Sequence, residues 1–586
     1  MSITRVSVDS AGNQANDFSS LPSISANGRF VTFSSLATNL VPGDTNKSSD
    51  IFLRDLSSNT TTRISVDSAG NPGNDGSFRH FISANGQFVT FESSATNLVP
   101  GDTNNADDLF LRDLSSNTTT RISVDSAGNP GNDNSFSGSI SANSRFVAFG
   151  SNATNLVPGD TNNSGDIFLR DLSANTTTRI SVDSAGNQGN GNSFVSSISA
   201  DGRFVVFSSD ASNLVPGDTN GSSDIFLRDL SNNTTTCISV DSAGNPGSRS
   251  RGSSSVPSIS ADGRFVVFAS DAANLVPGDT NGSSDIFLRD LSSNTTTRIS
   301  VDSAGSQTTI SNFGSGNPSI SADGRFVAFD SDATNLVPGT TNDSIDIFVR
   351  DLSKNTTTRV SVSEAGRPGN DSSFSSSISG DGRFVTFFSN AINLVPGDTN
   401  KFGDIFVVDL TKIPSNINNL PNITGENLIG TPGDDFLRGF DGDDTLTGRQ
   451  GDDLLIGRLG NDILNGGKGS DNFGGGEGND ILNGGDGSDN LAGDSGNDTL
   501  TGGADNDSFL MSPGSGIDTI SDFTNGQDTI SLGGLSSFEQ LSISGETNGT
   551  LIKLASSGEV LAFLTGVAPN LLGPEDFIIL PTVIPL

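Results

Sequence analysis

Tryptophan and tyrosine are absent from this chain, and cysteine and histidine each occur once, as Cys237 and His80. With a single thiol no intrachain disulfide can close and no cysteine zinc cluster can assemble, which leaves stability to packing or to another kind of metal site. A tyrosine nucleophile of the sialidase kind is excluded, and no GxSxG elbow is present to serve a serine hydrolase. His80 stands in FRHFISANG where sister segments carry Ser or Gly, and is read as a surface substitution. Cations are scarce: 31 Lys and Arg face 68 Asp and Glu, a formal charge of −37 that repels nucleic acid and anionic membranes and attracts divalent cations. No apolar run of about eighteen residues exists, so no membrane-spanning helix is expected. The opening MSITRVSVDSAGNQAND has neither the basic start nor the apolar core of a cleavable signal, and export would need another one.

What the sequence does have is repetition. GRFVTF or a close relative places phenylalanines at Phe30, Phe88, Phe146, Phe204, Phe265, Phe326 and Phe384, with steps of 58 or 61 residues. Each copy reads as four strands: SISADG ending in a tight turn, the alternating RFVVFSS, then DIFLRDL and TTTRISV as a hairpin around LSSNT. No segment of helical period interrupts them. Units of this size fit a β-propeller better than a sandwich, because radially packed blades bury both faces of every sheet. The seventh copy lacks its TTTRISV strand, and residues 2–8, SITRVSV, supply it from the other end of the chain. The expectation is a ring over residues 1–411 clasped shut by the N-terminal strand.

These copies resemble the WD-type propeller repeats of the TolB kind, in the SxSxDGRFVxF turn and strand and in the DIFLRDL strand after it. The resemblance implies a fold and leaves function open, since such propellers serve as binding platforms and sometimes as enzymes. The chain departs from that family in a near-constant NLVPGDTN insertion. Within it Asp218, Asn220, Ser222 and Asp224 fall at every second position, spacing that could wrap oxygen ligands around calcium. The pairs Asp44 and Asp50, Asp102 and Asp108, Asp160 and Asp166, Asp218 and Asp224, Asp279 and Asp285, and Asp398 and Asp404 are weak metal candidates; the sixth blade has Thr340 instead. The competing reading is a set of tight turns in which Asx side chains bond their own backbone. Cys237 takes the place of Arg63, Arg121, Arg179, Arg298 and Arg359 and reads as drift within a repeat rather than as a catalytic thiol. Two expansions, at 248–258 and 306–319, break the symmetry and are the expected places for a specific contact.

After a linker at 412–429 the composition changes. Residues 430–510 form nine registers of nine residues, from GTPGDDFLR to GGADNDSFL. Position one is always Gly, position six always Asp, and position eight always Leu or Phe. The aspartates are Asp435, Asp444, Asp453, Asp462, Asp471, Asp480, Asp489, Asp498 and Asp507. Position four is glycine at Gly433, Gly442, Gly451, Gly460, Gly469, Gly478, Gly487 and Gly496, and fails only at Asp505. Glycines permit left-handed backbone and close approach in a tight turn, and the residues around position eight form a short strand. With 16 Asp and one Glu against three Arg and one Lys, this segment carries −13 over 81 residues. So acidic a segment, with so few apolar groups, should stay expanded without metal.

The pattern is identified as the hemolysin-type RTX repeat, GGxGxDxUx. The resemblance implies a parallel β-roll in which the position-six aspartates reach calcium between turns and carbonyls of the glycine turns complete its shell. It implies inward-pointing residues from Leu437 to Phe509 as a thin core. It also implies export through the type I secretion machinery on an uncleaved C-terminal signal, within a β-rich cap at 511–586 that carries Asp518, Ile520, Asp522 and Phe523 in DxIxDF. The fold class expected is all-β: a seven-bladed β-propeller closed by the N-terminal strand, then a parallel β-roll and a β-rich cap. The function expected is calcium binding outside the cell or at its surface, without catalysis, with the propeller as a platform for an extracellular protein or polysaccharide. The alternatives are a hydrolase or lyase acting in the propeller channel, and a structural matrix component.

Overall fold

A computed structural model describes residues 3–248, 254–309, 313–337, 344–413, 425, 427–439 and 442–580. The chain divides into two compact units, one described up to residue 413 and the other from residue 425 onward.

The first unit is seven four-stranded antiparallel sheets. In the first blade the strands Ser19–Ile24, Phe30–Ser35, Asp50–Asp55 and Thr60–Arg63 lie side by side in chain order. Alternation in FVTFSS and DIFLRD places Phe33 opposite Phe52, both fully buried, with ring centroids 5.7 Å apart. The same pair recurs as Phe91 and Phe110, Phe207 and Phe226, and Phe329 and Phe348. Each buried ring contributes about 2–3 kcal/mol relative to an exposed one.

The seventh blade has three strands of its own, Ser373–Ile378, Phe384–Ser389 and Asp404–Asp409, and its fourth is Ile3–Arg5. Ile3 lies opposite Val408 and Arg5 opposite Phe406, so the ring closes as the repeat phase requires. The packing between blades closes too. Gly86 sits at φ 70° in its turn with Phe30 of the preceding blade against it, and a Cβ there would collide with that ring. Gly28 stands in the same relation to Phe384, which joins the first blade to the seventh.

The second unit is a parallel coil of two sheets, its strands alternating between them along the chain. One sheet runs Asn427–Ile429, Thr445–Gln450, Ile463–Lys468, Ile481–Asp486, Thr499–Ala504 and Asp518–Ile520. The other runs Phe436–Arg438, Leu454–Leu459, Asn472–Glu477, Asn490–Ser495, Ser508–Met511, Thr529–Gly533 and Phe577–Leu580. Leu446 pairs with Leu464 and Leu464 with Leu482, one full coil every two nonapeptides. The inward column from Leu437 to Phe509 is buried throughout and forms a single core with Ile520, Ile530 and Ile552. Parallel pairing thus starts ahead of residue 430 and continues beyond 510. The antiparallel strands Leu541–Glu546, Gly549–Leu554 and Val560–Thr565 extend the first sheet. Among the described residues no helix is long and apolar enough to cross a membrane.

Candidate calcium sites

The aspartate pairs of the propeller are brought together by the fold, but around an arginine. In the first blade Arg63 lies 3.1 Å from Asp44 and 2.9 Å from Asp50. Arg121, Arg179 and Arg298 hold Asp102 with Asp108, Asp160 with Asp166, and Asp279 with Asp285 in the same way. In the seventh blade the cation arrives on the N-terminal strand: Arg5 reaches Asp398 at 2.8 Å and Asp404 at 3.1 Å. The second carboxylate of each pair also accepts a hydroxyl, as from Ser65 to Asp50 at 2.6 Å. The intervening polar residues bond one another: Asn220 donates to Asp224 Oδ2 at 2.7 Å, and the Ser222 N–H donates to Asn220 Oδ1 at 2.9 Å. The alternate spacing that suggested a cation wrapped by oxygens is filled by a turn network, and in these five blades a guanidinium bridges the two carboxylates. Thr340 lies outside the described residues.

The fourth blade departs from its siblings, for Cys237 stands where they have arginine and no salt bridge to Asp218 or Asp224 forms among the described residues. Burial pushes both carboxyls up, and for Asp218 the charge of Asp224 adds to it. Burial and the same two charges push the Cys237 thiol up to about 12, which keeps it protonated and a poor nucleophile.

His80 requires a correction. It is 3% exposed on the strand Ser77–Ile82, and burial pushes its imidazole down to about 4. Two acids escaped the sequence reading. Glu92 and Asp330 occupy the strand position held elsewhere by Ser34, Gly150, Ser208, Ala269 and Phe388. Each accepts a backbone N–H from the next blade, Ser137 to Glu92 at 2.6 Å and Ser375 to Asp330 at 3.3 Å. A carboxylate inside an otherwise small or apolar column was the signal available. Of the two expansions, residues 249–253 and 310–312 lie outside the described residues. The second delivers Phe313, 54% exposed, against Phe374 at 6.3 Å; Phe374 in turn touches Phe388, and Phe388 touches Phe18.

In the coil the position-six aspartates stand in two columns, each residue 18 from the next. Asp435 donates its N–H to Asp453 Oδ1 at 2.6 Å, Asp462 to Asp480 at 2.7 Å, Asp471 to Asp489 at 2.8 Å and Asp480 to Asp498 at 2.8 Å. That bond occupies Oδ1. The Oδ2 atoms of Asp462, Asp471, Asp480, Asp489, Asp498 and Asp507 are buried without a hydrogen-bond partner. A buried anionic oxygen left unpaired costs several kcal/mol, so these atoms call for a proton or a cation. Burial, aided by the neighbouring carboxylates, pushes Asp462, Asp489 and Asp498 up to about 7 and Asp480 and Asp507 to about 6.

What else faces that space comes from the glycines. A Cβ on Gly430 would lie 2.6 Å from Asp435 Oδ2 and 2.7 Å from the Gly448 carbonyl of the following coil. Gly457, Gly475 and Gly484 repeat the arrangement, so these turns leave a cradle between a carboxylate and a carbonyl that any side chain would fill. Position four serves the backbone instead: Gly460, Gly469 and Gly478 sit at φ 129°, 127° and 144°, where a Cβ would strike the preceding coil. Among the described residues no three acidic, histidine or cysteine side chains converge on one point. A hard cation held here must therefore draw on backbone carbonyls, and the donor set, all oxygen with one or two carboxylates, suits calcium.

Residues 422–520 match the family model of the RTX calcium-binding nonapeptide repeat in five overlapping segments. This part of the chain consists of RTX calcium-binding repeats, folded as a β-roll. No curated protein sequence matches the chain. Among solved structures it is similar to TolB from Acinetobacter baumannii at 15% identity and TM-score 0.32, covering 53% of this chain and 59% of that one. It is also similar to the β-propeller domain of the trilobed protease from Pyrococcus furiosus, at 11% identity and TM-score 0.41, covering 67% and 96%. At such scores the propeller rests on this chain's own strand pairing.

Proposed function

We propose that this is an exported protein whose RTX β-roll folds on calcium and whose propeller is a non-catalytic binding platform. The observation that carries the first part is the double column of six buried Oδ2 atoms without partners, each with the position-one glycine of its own turn beside it. Bound calcium would neutralise the columns, and because the site does not exist in the unfolded chain, its binding energy is also folding energy. Asp462, Asp480 and Asp498 would hold one column with the carbonyls of the glycine turns, and Asp471, Asp489 and Asp507 the other. A low-calcium interior and a calcium-rich exterior would then keep the segment extended during passage through a type I secretion channel and fold it on arrival.

The platform reading is supported by what the propeller does with its reactive groups. The lone thiol is protonated, the lone imidazole is buried, and five aspartate pairs are held by arginines. The exposed phenylalanines Phe18 and Phe313 and their neighbours offer an extracellular protein or polysaccharide an apolar contact. Calcium titration of the full chain, followed by circular dichroism and by metal analysis of the dialysed protein, tests the first part. A cooperative gain of β-structure with several bound ions is expected, and equal structure in chelator overturns it. A turnover abolished by replacing Glu92 or Asp330 would overturn the non-catalytic reading.

A further inference from the structure

Both carboxylate columns run past the last nonapeptide. Asp498 donates its N–H to Asp518 Oδ1 at 3.1 Å, and Asp507 donates to Asp528 Oδ1 at 3.1 Å, the bond that joins successive aspartates within the array. The spacing has grown from 18 residues to 20 and 21; the turn ahead of Asp518 keeps its form, while that ahead of Asp528 closes differently, on the Thr524 carbonyl. Ahead of Asp518, Gly516 has φ 135° and the Ser515 carbonyl accepts the Gly496 N–H at 2.7 Å, as the Ser495 carbonyl accepts that of Gly478 at 2.8 Å. The Ile517 N–H meets Asn497 Oδ1 at 3.0 Å, continuing the bond from Asn497 to Asn479 at 2.9 Å. Ahead of Asp528, Gly526 has φ 75°. There Thr524 donates its N–H to Asp528 Oδ2 at 2.7 Å, the bond that Thr431 makes to Asp435 at 2.6 Å at the other end of the same column.

The carboxylates facing these two turns carry the demand for a cation. Asp498 and Asp507 are 1% and 2% exposed, their Oδ2 atoms have no partner, and Asp518 and Asp528 across from them are themselves 1% and 5% exposed. Two buried carboxylates facing each other without a cation repel, and the low-dielectric surroundings amplify the repulsion. Nothing in the nonapeptide pattern registers this, because the slipped spacing takes both residues out of phase.

We propose that Asp518 and Asp528 each complete a further calcium site between the last nonapeptide turn of their column and the cap. This rests on the nonapeptides being calcium sites. It makes the cap part of the calcium-folded structure: Asp518–Ile520 pairs with Val560–Thr565 and Thr529–Gly533 pairs with Phe577–Leu580. Neutralising the two aspartates would therefore steady the strands on which the rest of the cap assembles.

The test uses the full chain with calcium alone as probe, comparing Asp518→Asn, Asp528→Asn and their combination with Asp471→Asn from the middle of a column. Asparagine keeps the Oδ1 acceptor and the shape, removes the charge and turns the second oxygen into an N–H donor, so at Asp528 the bond from Thr524 is lost as well. Metal analysis after dialysis is expected to show one ion fewer for each cap substitution, as for Asp471→Asn. Hydrogen exchange should show Val560–Thr565 needing more calcium for protection. If the combined variant loses cap protection even at saturating calcium, the ion count of each single variant decides. Wild-type ion count and exchange in the cap variants, beside a lost ion in Asp471→Asn, overturn the proposal. No calcium on the wild-type chain overturns the nonapeptide reading, and this proposal with it.

Discussion

The two units bury carboxylates in repeated arrays and neutralise them in opposite ways. Five of the seven propeller blades carry their own counter-ion, an arginine such as Arg63 on the fourth strand pinned to Asp44 and Asp50 on the loop and third strand of the same blade. In the β-roll the aspartates from Asp462 to Asp507 stack above one another with Oδ1 bonded to backbone and Oδ2 buried without a hydrogen-bond partner. An internal cation makes a fold independent of the medium. Its omission hands the folding equilibrium to whatever cation the medium holds.

The sharpest break of this comparison is removal of calcium. Hydrogen exchange on the metal-free chain should show the strands from Thr445 to Ala504 unprotected and the seven blades protected as before; protection in both units would mean the roll needs no external ion. Next in size is Arg5→Ala, which strips the counter-ion from Asp398 and Asp404 at the seam of the ring. Breaking a buried pair in this way costs about 3–5 kcal/mol, so thermal unfolding of the propeller should move well down while calcium binding stays unchanged.

Acidity gives a smaller effect of opposite sense in the roll. Its aspartates have folded-state values raised to about 6 or 7, above the unfolded carboxylate, so the metal-free folded roll binds more protons than the unfolded chain. Lowering pH from about 7 toward 4 should then stabilise the metal-free roll while weakening calcium binding by competition. Circular dichroism of metal-free protein across that range checks it, and β-structure that falls on acidification contradicts it. The smallest effect expected is that of Cys237→Arg, which restores the sibling counter-ion beside Asp218 and Asp224. A gain of about 1 kcal/mol in propeller stability is the outcome expected from scanning calorimetry.

Much of this was legible in the residues. Seven copies of GRFVTF and the displaced SITRVSV strand gave blade number and ring closure, because strand alternation and repeat phase are local properties of sequence. The nine aspartates of the array were legible for the same reason, since a strict period stacks like on like. The propeller aspartates were ambiguous, weak cation ligands on one reading and turn formers on the other. Asp44 and Asp50 look like alternate ligands along the chain, and only the fold shows Arg63, thirteen residues beyond Asp50, lying between them. His80 was misjudged because a lone substitution carries no period from which to read its face.

By itself the sequence determined the repeat count, the strand pattern, the column of inward Leu and Phe, and the acidity that demands a cation, all of which follow from period and composition. Tertiary structure alone decided which charges meet. It placed Arg5 across the seam from Asp404, left Cys237 beside two carboxylates, turned His80 inward, and carried the aspartate columns on to Asp518 and Asp528 through turns whose spacing had slipped. The physical reason is that electrostatics depends on distance in space, and residues 20 or 400 apart in sequence become neighbours only when backbone hydrogen bonds bring their strands together.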